Sequence, residues 1–410
     1  MGLRQDADLI IKSAIKAVLP DEAVKMALTG KEFGTGRVYL VAAGKAAWQM
    51  AKAASDTMGD KIEAGVVVTK YDHVKGDIPK VTCYEAGHPV PDENSFIGTQ
   101  AAIELVSDLS EEDTVLFLLS GGGSALFEKP LIPGEELADI TKQLLACGAD
   151  IVEINTIRKR LSAVKGGRFA RICEPARVYS IVLSDIIGDP LDMIASGPAY
   201  PDSSTSEQAI SIAKKYDLKL TDMQWDLLAK ETPKTLQNVT TNITGSVRNL
   251  CNAAADSCRE LGYKPVILTD MLTCEAREAG CFLASIAKSN QNVSESVAYI
   301  AGGETVVHLT GTGKGGRNQE LALAAADGLA DCIDTAIFSV GSDGTDGPTD
   351  AAGGYADTKT KELLSKEGIN IFEVLQNNDA YNALKITDGL IMTGATGTNV
   401  NDVAVLLIKR

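Results

Sequence analysis

Short apolar segments that alternate with helical segments constrain the fold of this chain more than any other feature. Several are apolar at almost every position, as in parallel strands that are buried on both faces. The alternation predicts an α/β protein with mainly parallel sheets and helices on both sides of each sheet. Seven strands are predicted: Val38–Ala43, Ala64–Thr69, Thr114–Leu119, Val178–Leu183, Val266–Thr269, Ser296–Ile300 and Ala336–Val340.

The length of 410 residues suits two domains better than one. Turn-forming and polar residues interrupt the pattern near residues 230–245. We therefore predict two α/β domains, a doubly wound one at residues 1–240 and a smaller one at 241–410, which face each other across a cleft. An amphipathic helix is predicted over residues 6–19, ended by Pro20, and could pack on either domain.

The charge balance excludes several partner classes. With 39 basic and 55 acidic residues the formal net charge is −16, which repels nucleic acid and anionic membranes but leaves room for a small phosphorylated ligand. No apolar stretch approaches the roughly 18 residues of a membrane span, and acids occupy the region where a signal peptide would be basic. We expect a cytoplasmic protein. The eight cysteines form no C-x-x-C pair, so no zinc site is predicted.

Glycine-rich loops follow two of the buried strands in the first domain. Gly44-Lys45 comes after Val38–Ala43, where a glycine lets the backbone approach an anion and the lysine adds a positive charge. A Ser-Gly-Gly-Gly-Ser segment comes after Thr114–Leu119. Three successive glycines make sense if the backbone itself binds a ligand, although a flexible turn is the alternative. The residues concerned are Ser120, Gly121, Gly122, Gly123 and Ser124.

Isolated cations and clustered aspartates complete the candidate set. Arg158 and Lys165 belong to a basic cluster that either is a solvated helix face or binds an anion. Aspartates after Val178–Leu183 and Ala336–Val340 suit either magnesium coordination or proton abstraction, or simply cap helices and turns. The spacing of the aspartates does not show which of them would act as the base and which would bind the metal ion. These aspartates are Asp185, Asp189, Asp343, Asp346 and Asp350.

A rival signal lies between residues 304 and 320. Gly311, Gly313 and Gly316 match the dinucleotide pattern G-x-G-x-x-G, which would favour an NAD(P)H-dependent reductase. The match is short, and the next acidic residue at a strand end, Asp343, lies further downstream than the fingerprint expects. The cations within and next to the pattern also suit phosphate. Candidate ligand-binding residues here are Glu304, Gly315, Gly316, Arg317 and Asn318.

Phosphoryl transfer requires backbone and cations that hold phosphates, carboxylates that hold a metal ion, and a base. The glycine loops, isolated cations and clustered aspartates at successive strand ends supply these groups. A reductase and a non-catalytic nucleotide-binding regulator stay open as alternatives. The loops, in this order, resemble the glycerate 2-kinase family, whose C-terminal part is the MOFRL domain. The segments that carry the resemblance are 42–47, 87–92, 119–126, 155–159, 161–167, 184–189, 196–198, 303–306, 315–320 and 342–347.

The resemblance implies a Rossmann-like N-terminal domain, a smaller C-terminal MOFRL domain and an active site in the cleft between them. It implies ATP-dependent phosphorylation of D-glycerate at the 2-hydroxyl, with Mg²⁺, and places the family's proposed catalytic cations on Lys45 and Arg317. We add Asp189 as a candidate catalytic carboxylate. Some family members were once named hydroxypyruvate reductases, which keeps that alternative in view. D-glycerate and ATP are the expected partners, and a homodimer is possible.

Overall fold

The computed structural model describes residues 2–188 and 190–410. Its α-helices are α1 Leu3–Ala17, α2 Pro20–Leu28, α3 Ala47–Met58, α4 Glu93–Val106, α5 Gly123–Leu126, α6 Gly134–Ala146, α7 Ile151–Arg160, α8 Arg168–Ile172, α9 Ser206–Lys215, α10 Asp222–Leu228, α11 Val247–Glu260, α12 Ala276–Ser289, α13 Arg317–Leu329, α14 Thr360–Lys366, α15 Ile371–Gln376 and α16 Ala380–Ile386. Short 3-10 turns occupy Gly59–Lys61 and Ile194–Ser196. Its β-strands are β1 Val38–Ala43, β2 Ile62–Lys70, β3 Val81–Ala86, β4 Thr114–Leu119, β5 Arg177–Leu183, β6 Val239–Gly245, β7 Lys264–Leu272, β8 Val297–Gly303, β9 Thr335–Gly341, β10 Gly353–Asp357, β11 Leu390–Ile391 and β12 Asp402–Ile408.

The chain divides into two compact units with one sheet each. The first unit comprises residues 20–184 and 190–244, and the second comprises residues 2–19, 185–188 and 245–410. The second unit thus includes the N-terminal helix, unlike the predicted division at residue 240. The reason is apolar packing, since Ile10 and Ala14 of α1 share a core with Leu250 of α11 and Phe338 of β9. None of the described helices is both long and apolar enough to cross a membrane.

The sheet of the first unit has the order β3-β2-β1-β4-β5-β6. Strands β1 to β5 pair in parallel, as the apolar runs predict. β1 and β4 are buried at every position because helices or loops cover both faces. On one face Leu40 and Leu116 contact α2 and α3, whereas Phe117 belongs to a cluster of aromatic rings with Phe127 and Phe169. The predicted doubly wound parallel architecture is confirmed for this unit.

The sheet of the second unit has the order β11-β10-β9-β12-β8-β7 and is mixed. β12 runs antiparallel to both β8 and β9, and β10 runs antiparallel to β9, so the prediction of mainly parallel sheets is wrong here. The reason is that the last strand inserts between two strands that point the other way. Val405 of β12 faces a core with α1 and α11, while Leu406 faces α12 and α13.

Candidate active site

The loops after β1 and β4 are joined by hydrogen bonds at the carboxyl edge of the parallel sheet. The Lys45 amide donates to the Gly121 carbonyl over 2.9 Å, and the Ala46 amide donates to the Ser120 hydroxyl over 3.1 Å. Thr69, near the end of β2, donates to the Gly44 carbonyl over 2.9 Å. The structure thus brings together two loops that the sequence predicted to bind a ligand.

Two glycines in these loops are required by the close approach. Gly44 has a φ of +122°, and a Cβ placed there would lie 2.5 Å from the Ser120 carbonyl oxygen. Gly122 has a φ of +84°, and a Cβ there would lie 3.1 Å from Lys45 Cγ. Any other residue would therefore be strained and would separate the loops. The Lys45 side chain is exposed, and the described residues offer its ammonium group neither a hydrogen bond nor an ion pair.

Side chains from α7 and from a strained turn hold the end of the glycine loop. Arg158 Nη2 donates to the Ser124 carbonyl over 2.9 Å. The hydroxyl of Ser124 lies 3.3 Å from that of Ser196, which donates to Asn155 Oδ1 over 3.0 Å. Ala195 and Ser196 have φ values of 50° and 61°, a conformation that costs non-glycine residues energy. The surrounding contacts therefore fix this turn against the loop.

Lys165 differs from the other predicted ligand-binding residues of this unit because its side chain is fully buried. Its ammonium lies 3.0 Å from Glu128 Oε2, also fully buried, and donates to the Phe127 carbonyl over 3.0 Å. Burial lowers the pKa of Lys165 to about 8, and the attraction of Glu128 opposes that shift. Lys165 thus has a structural partner and presents no accessible atom to a ligand.

In the second unit, the amino end of β12 lies between the carboxyl ends of β8 and β9. Asp402 is in register with Gly303 on one side and Gly341 on the other. Its carboxylate accepts two hydrogen bonds from Arg317, over 2.6 Å from Nε and 3.1 Å from Nη2. Arg317 Nη1 also donates to Glu304 Oε1 over 2.8 Å. The structure therefore joins Arg317 and Glu304 and adds Asp402 between them.

Burial and the Arg317–Asp402 contact act in opposite directions on the pKa values of both residues. Burial by itself lowers the pKa of Arg317, but the hydrogen bonds to Asp402 raise it above its ordinary value. Burial raises the pKa of Asp402, and Arg317 acts in the opposite direction. Asn401 adds a hydrogen bond over 3.1 Å to the second oxygen of Glu304. The guanidinium is thus held by two carboxylates and keeps its charge.

Asp346 caps the helix that Arg317 begins. One of its carboxylate oxygens accepts from the Asn318 amide over 3.1 Å, and the other accepts from the Gln319 amide over 2.9 Å. A Cβ on Gly316 would overlap Asp346, so a glycine is required before the helix. Burial raises the pKa of Asp346 to about 6, although the backbone amides act in the opposite direction. Both oxygens are committed, which makes Asp346 the least suitable metal ligand of the predicted set.

The other predicted aspartates lie apart from this cap. Asp343 Oδ1 accepts from the Thr345 amide over 3.0 Å, and Asp350 Oδ1 accepts from the Tyr381 hydroxyl over 2.8 Å. The Asp185 carbonyl accepts from Asn401 Nδ2 over 3.4 Å. Asp189 lies outside the described residues. Within residues 2–188 and 190–410, no three His, Cys, Asp or Glu side chains are arranged to hold a metal ion.

The glycines of the G-x-G-x-x-G match serve a local contact. The Gly313 amide donates to the Asn377 carbonyl over 2.8 Å, and the Gly311 amide donates to Asn378 Oδ1 over 2.9 Å. A Cβ on Gly313 would lie 2.5 Å from that Asn377 carbonyl. The segment is also eight residues beyond the end of β8, whereas the dinucleotide pattern directly joins a strand to a helix. The contact to residues 377–378 explains these glycines without a dinucleotide.

Sequence reasoning missed Asp402 and Asn401 as site residues. Ligands of parallel sheets bind residues that follow strands, whereas these two stand before an apolar run, Val403–Ile408. The sequence did contain a signal, since an amide and a carboxylate directly precede a continuous apolar run. Using that signal requires knowing that this last segment is a strand that runs antiparallel to its neighbours.

Comparisons with known proteins show which family this chain resembles. A family described as a domain of unknown function (DUF4147) matches residues 6–228, and the MOFRL family matches residues 297–402. The D-glycerate 2-kinase of Thermotoga maritima is 52% identical, over 99% of both chains. The glycerate 2-kinase of Pyrococcus horikoshii is 39% identical, over 100% of this chain and 98% of its own.

This chain belongs to the glycerate 2-kinase family. Two crystal structures support the assignment, each with a TM-score of 0.94. One is that of the T. maritima glycerate kinase, covering 99% of both chains, and the other is that of a P. horikoshii protein, covering 100% of this chain and 99% of its own. A protein from Agrobacterium vitis, provisionally named a hydroxypyruvate reductase, is 39% identical over 91% of this chain and 100% of its own. The resemblance predicted from the sequence is thus confirmed.

Proposed function

We propose that this protein transfers the γ-phosphoryl group of ATP to the 2-hydroxyl of D-glycerate and releases 2-phosphoglycerate. The observation that carries the proposal is the 52% identity, over nearly the whole of both chains, with a D-glycerate 2-kinase. The close-packed glycine loops and the fixed arginine agree with it, because phosphoryl transfer depends on positioning and on charge stabilisation. The reductase alternative loses its residue-level support, since Gly311 and Gly313 have a packing role.

The first unit supplies a loop surface suited to an anion. We propose that Gly44, Lys45 and residues 120–124 contact a substrate, with Arg158 fixing the end of the glycine loop. Lys45 is the strongest candidate, because its ammonium is exposed and no described group neutralises it. A cation that meets the transferring phosphoryl group stabilises the charge that spreads over its oxygens in the transition state. Lys165 is the weakest candidate, because it is buried against Glu128.

The second unit supplies Arg317, which we propose as the second catalytic cation. Asp402 fixes two of its nitrogens, so the plane of the guanidinium is set before a ligand arrives. Such preorganisation avoids a reorganisation cost during the reaction. Glu304, Asn318, Gly315 and Gly316 then act through Arg317 and its helix. We propose Asp189 as the group that accepts the proton of the attacking hydroxyl.

The aspartates of this unit could supply a magnesium ion with one or two carboxylate ligands. Mg²⁺ usually takes one or two carboxylates and completes its shell with water and substrate phosphates, so a site without three clustered carboxylates still suits it. Asp343 is a better candidate to hold it than Asp346, which caps a helix with both oxygens, and Asp185 and Asp350 stay in the proposed set. When bound, the ion would offset the charge of the nucleotide phosphates. Binding of Mn²⁺, followed by its paramagnetic effect on the amide signals near Asp343, tests this without turnover.

The decisive experiment identifies the product. Protein, D-glycerate, ATP and Mg²⁺ should yield 2-phosphoglycerate and ADP by ³¹P and ¹³C NMR. Formation of 3-phosphoglycerate would contradict the regiochemistry, and NADH-dependent reduction of hydroxypyruvate without phosphoryl transfer would favour the reductase. We also propose a cytoplasmic location and a homodimer, the latter testable by light scattering.

Variants separate catalysis from ground-state binding. Lys45→Ala and Arg317→Ala should each lower kcat by roughly 10²–10³, as for other preorganised charge-stabilising groups. The control is Lys12→Ala, which removes an exposed lysine of α1. A rise in KM for ATP with kcat within about threefold would show that these cations only bind the ground state.

A further inference from the structure

Four basic side chains collect at one edge of the parallel sheet in the first unit. Lys45 follows β1, Lys70 ends β2, His73 lies three residues further, and His88 follows β3. The three strands are neighbours and parallel, so their carboxyl ends meet at this edge. Ligands of open α/β sheets bind beyond such ends. Neither Lys70 nor the two histidines has a role in the function proposed above.

The glycine loop after β4 lies against two of these side chains. A Cβ on Gly122 would lie 3.1 Å from His88 Nε2 and equally close to Lys45 Cγ, so both side chains border the same glycine. His73 Nδ1 lies 2.8 Å from the Lys45 carbonyl oxygen. Because a carbonyl can only accept, this nitrogen carries the proton, and His73 fixes the backbone of Lys45.

The positive charge at this edge has little compensation. No described residue gives the ammonium groups of Lys45 and Lys70 an ion pair or a hydrogen bond. Two carboxylates on the adjacent segments accept hydrogen bonds from neutral donors, and Asp72, between Lys70 and His73, is exposed to solvent. Glu85 accepts from the His73 amide over 3.0 Å, and Asp92 accepts from the Tyr71 hydroxyl over 2.7 Å.

His88 responds to this surplus of charge. Partial burial, and then Lys45, Lys70 and His73, lower the pKa of His88, so the imidazole is neutral at pH 7. An anion placed among these groups would offset the two lysines and favour the imidazolium. The neutral ring would take a proton from solvent and then donate to the anion.

We propose that Lys45, Lys70 and His88 form a binding site for one oxyanion of the substrates, a carboxylate or a phosphate, and that His88 becomes protonated when the anion binds. Only the identity of the ligand rests on the function proposed above. The site itself rests on the convergence of Lys45 and His88 at Gly122, with Lys70 at the end of the neighbouring strand β2. Thermodynamic linkage then requires the anion to bind more tightly as pH falls through the titration of His88.

The chain has only three histidines, which makes the test direct. The ring signals of His73, His88 and His308 are followed by NMR from pH 5 to 8, assigned with single His→Gln variants. Saturating ligand should raise the titration midpoint of His88 by roughly one pH unit and leave exposed His308 unchanged. A shift with D-glycerate alone identifies the site with the carboxylate, and one with ADP or inorganic phosphate alone identifies it with phosphate. No shift of His88 with any of these probes overturns the proposal.

Two variants sharpen the result. Lys70→Gln should raise the midpoint of His88 in the ligand-free protein, and an unchanged midpoint would remove Lys70 from the site. With D-glycerate, whose carboxylate stays ionised above pH 5, His88→Gln should abolish the pH dependence of the dissociation constant, which is about tenfold for a one-unit shift. His308→Gln should keep that dependence. A shift of His88 in a protein that transfers no phosphoryl group would support the site and refute the kinase function.

Discussion

Replacing Gly44 by alanine tests the close contact on which the proposed anion-binding surface depends. The methyl group would meet both the hydroxyl and the carbonyl oxygen of Ser120, the latter at 2.5 Å. The backbone at Gly44 also has a φ of +122°, which side-chain-bearing residues rarely adopt. Strain of this kind costs of order 1–3 kcal/mol. Overfilling a close-packed contact costs typically a further 1–3 kcal/mol, because the neighbouring backbone cannot rotate away as a side chain would.

Gly76 offers a matched control. Its φ is +145°, in the same region of backbone conformations, yet a Cβ there would meet nothing within 4 Å. Gly76→Ala should therefore cost only the conformational strain. The difference between the two variants, roughly 1–3 kcal/mol in free energy of unfolding, isolates the overlap with Ser120.

Urea denaturation measures this difference, with tryptophan fluorescence and circular dichroism as parallel probes so that departures from a two-state transition are detected. Steady-state kinetics on the folded variants should show a larger loss of kcat/KM for Gly44→Ala than for Gly76→Ala, because the loops that carry Lys45 and Gly121 would move apart. Equal loss of stability in the two variants would refute the contact, and equal activity would refute its functional importance.

Three further predictions concern charged groups. Asp402→Asn should lower kcat by about 10- to 100-fold with little change in KM for ATP, because Arg317 loses its orientation; unchanged kcat would mean that Asp402 does not position it. Glu128→Gln should cost roughly 3–5 kcal/mol in urea denaturation, because it removes the carboxylate that neutralises Lys165 and also faces Arg158. Adding Lys165→Met should restore much of that loss, whereas a raised KM in the double variant would show that Lys165 binds a ligand. Asp346 has a folded pKa of about 6, above its ordinary 3.8, so its contribution to stability should grow by about 2 kcal/mol as pH falls from 6 to 4. Denaturation of wild type and Asp346→Asn across this pH range checks it, and a constant difference would contradict the raised pKa.

Much of the first unit could be predicted from the sequence because parallel strands carry an unambiguous pattern. β1 and β4 are buried throughout and apolar at nearly every position. The chain returns to the same edge after each strand, so residues after strand ends converge. Gly44 and Gly122 were recognisable because glycine there has a cost that only a close backbone contact offsets. The burial of Lys165 was not predictable, because a basic residue in a polar segment gives no sign of the buried glutamate it will meet.

The second unit resisted prediction because its last strand reverses direction. A rule that examines only residues after strands passes over Asp402, since an antiparallel strand brings its amino end to the edge where its neighbours end. Helix-capping aspartates are equally hard to recognise from the sequence. Asp346 resembles a metal ligand in sequence, and only the position of the α13 amino terminus shows that its oxygens are used by backbone amides.

The two carboxylates around Arg317 also limit what it can do. Of the five N–H groups of a guanidinium, three donate to Asp402 and Glu304, so two remain for a ligand. One positive charge faces two negative ones, and a free polyanion would meet net repulsion at this point. Asp402 is buried, whereas the side chain of Glu304 is 46% exposed and is the partner that can leave at lower cost. Arg317 is therefore suited to a phosphate that displaces Glu304 or arrives with its own cation, which favours a metal-bound nucleotide over a free one.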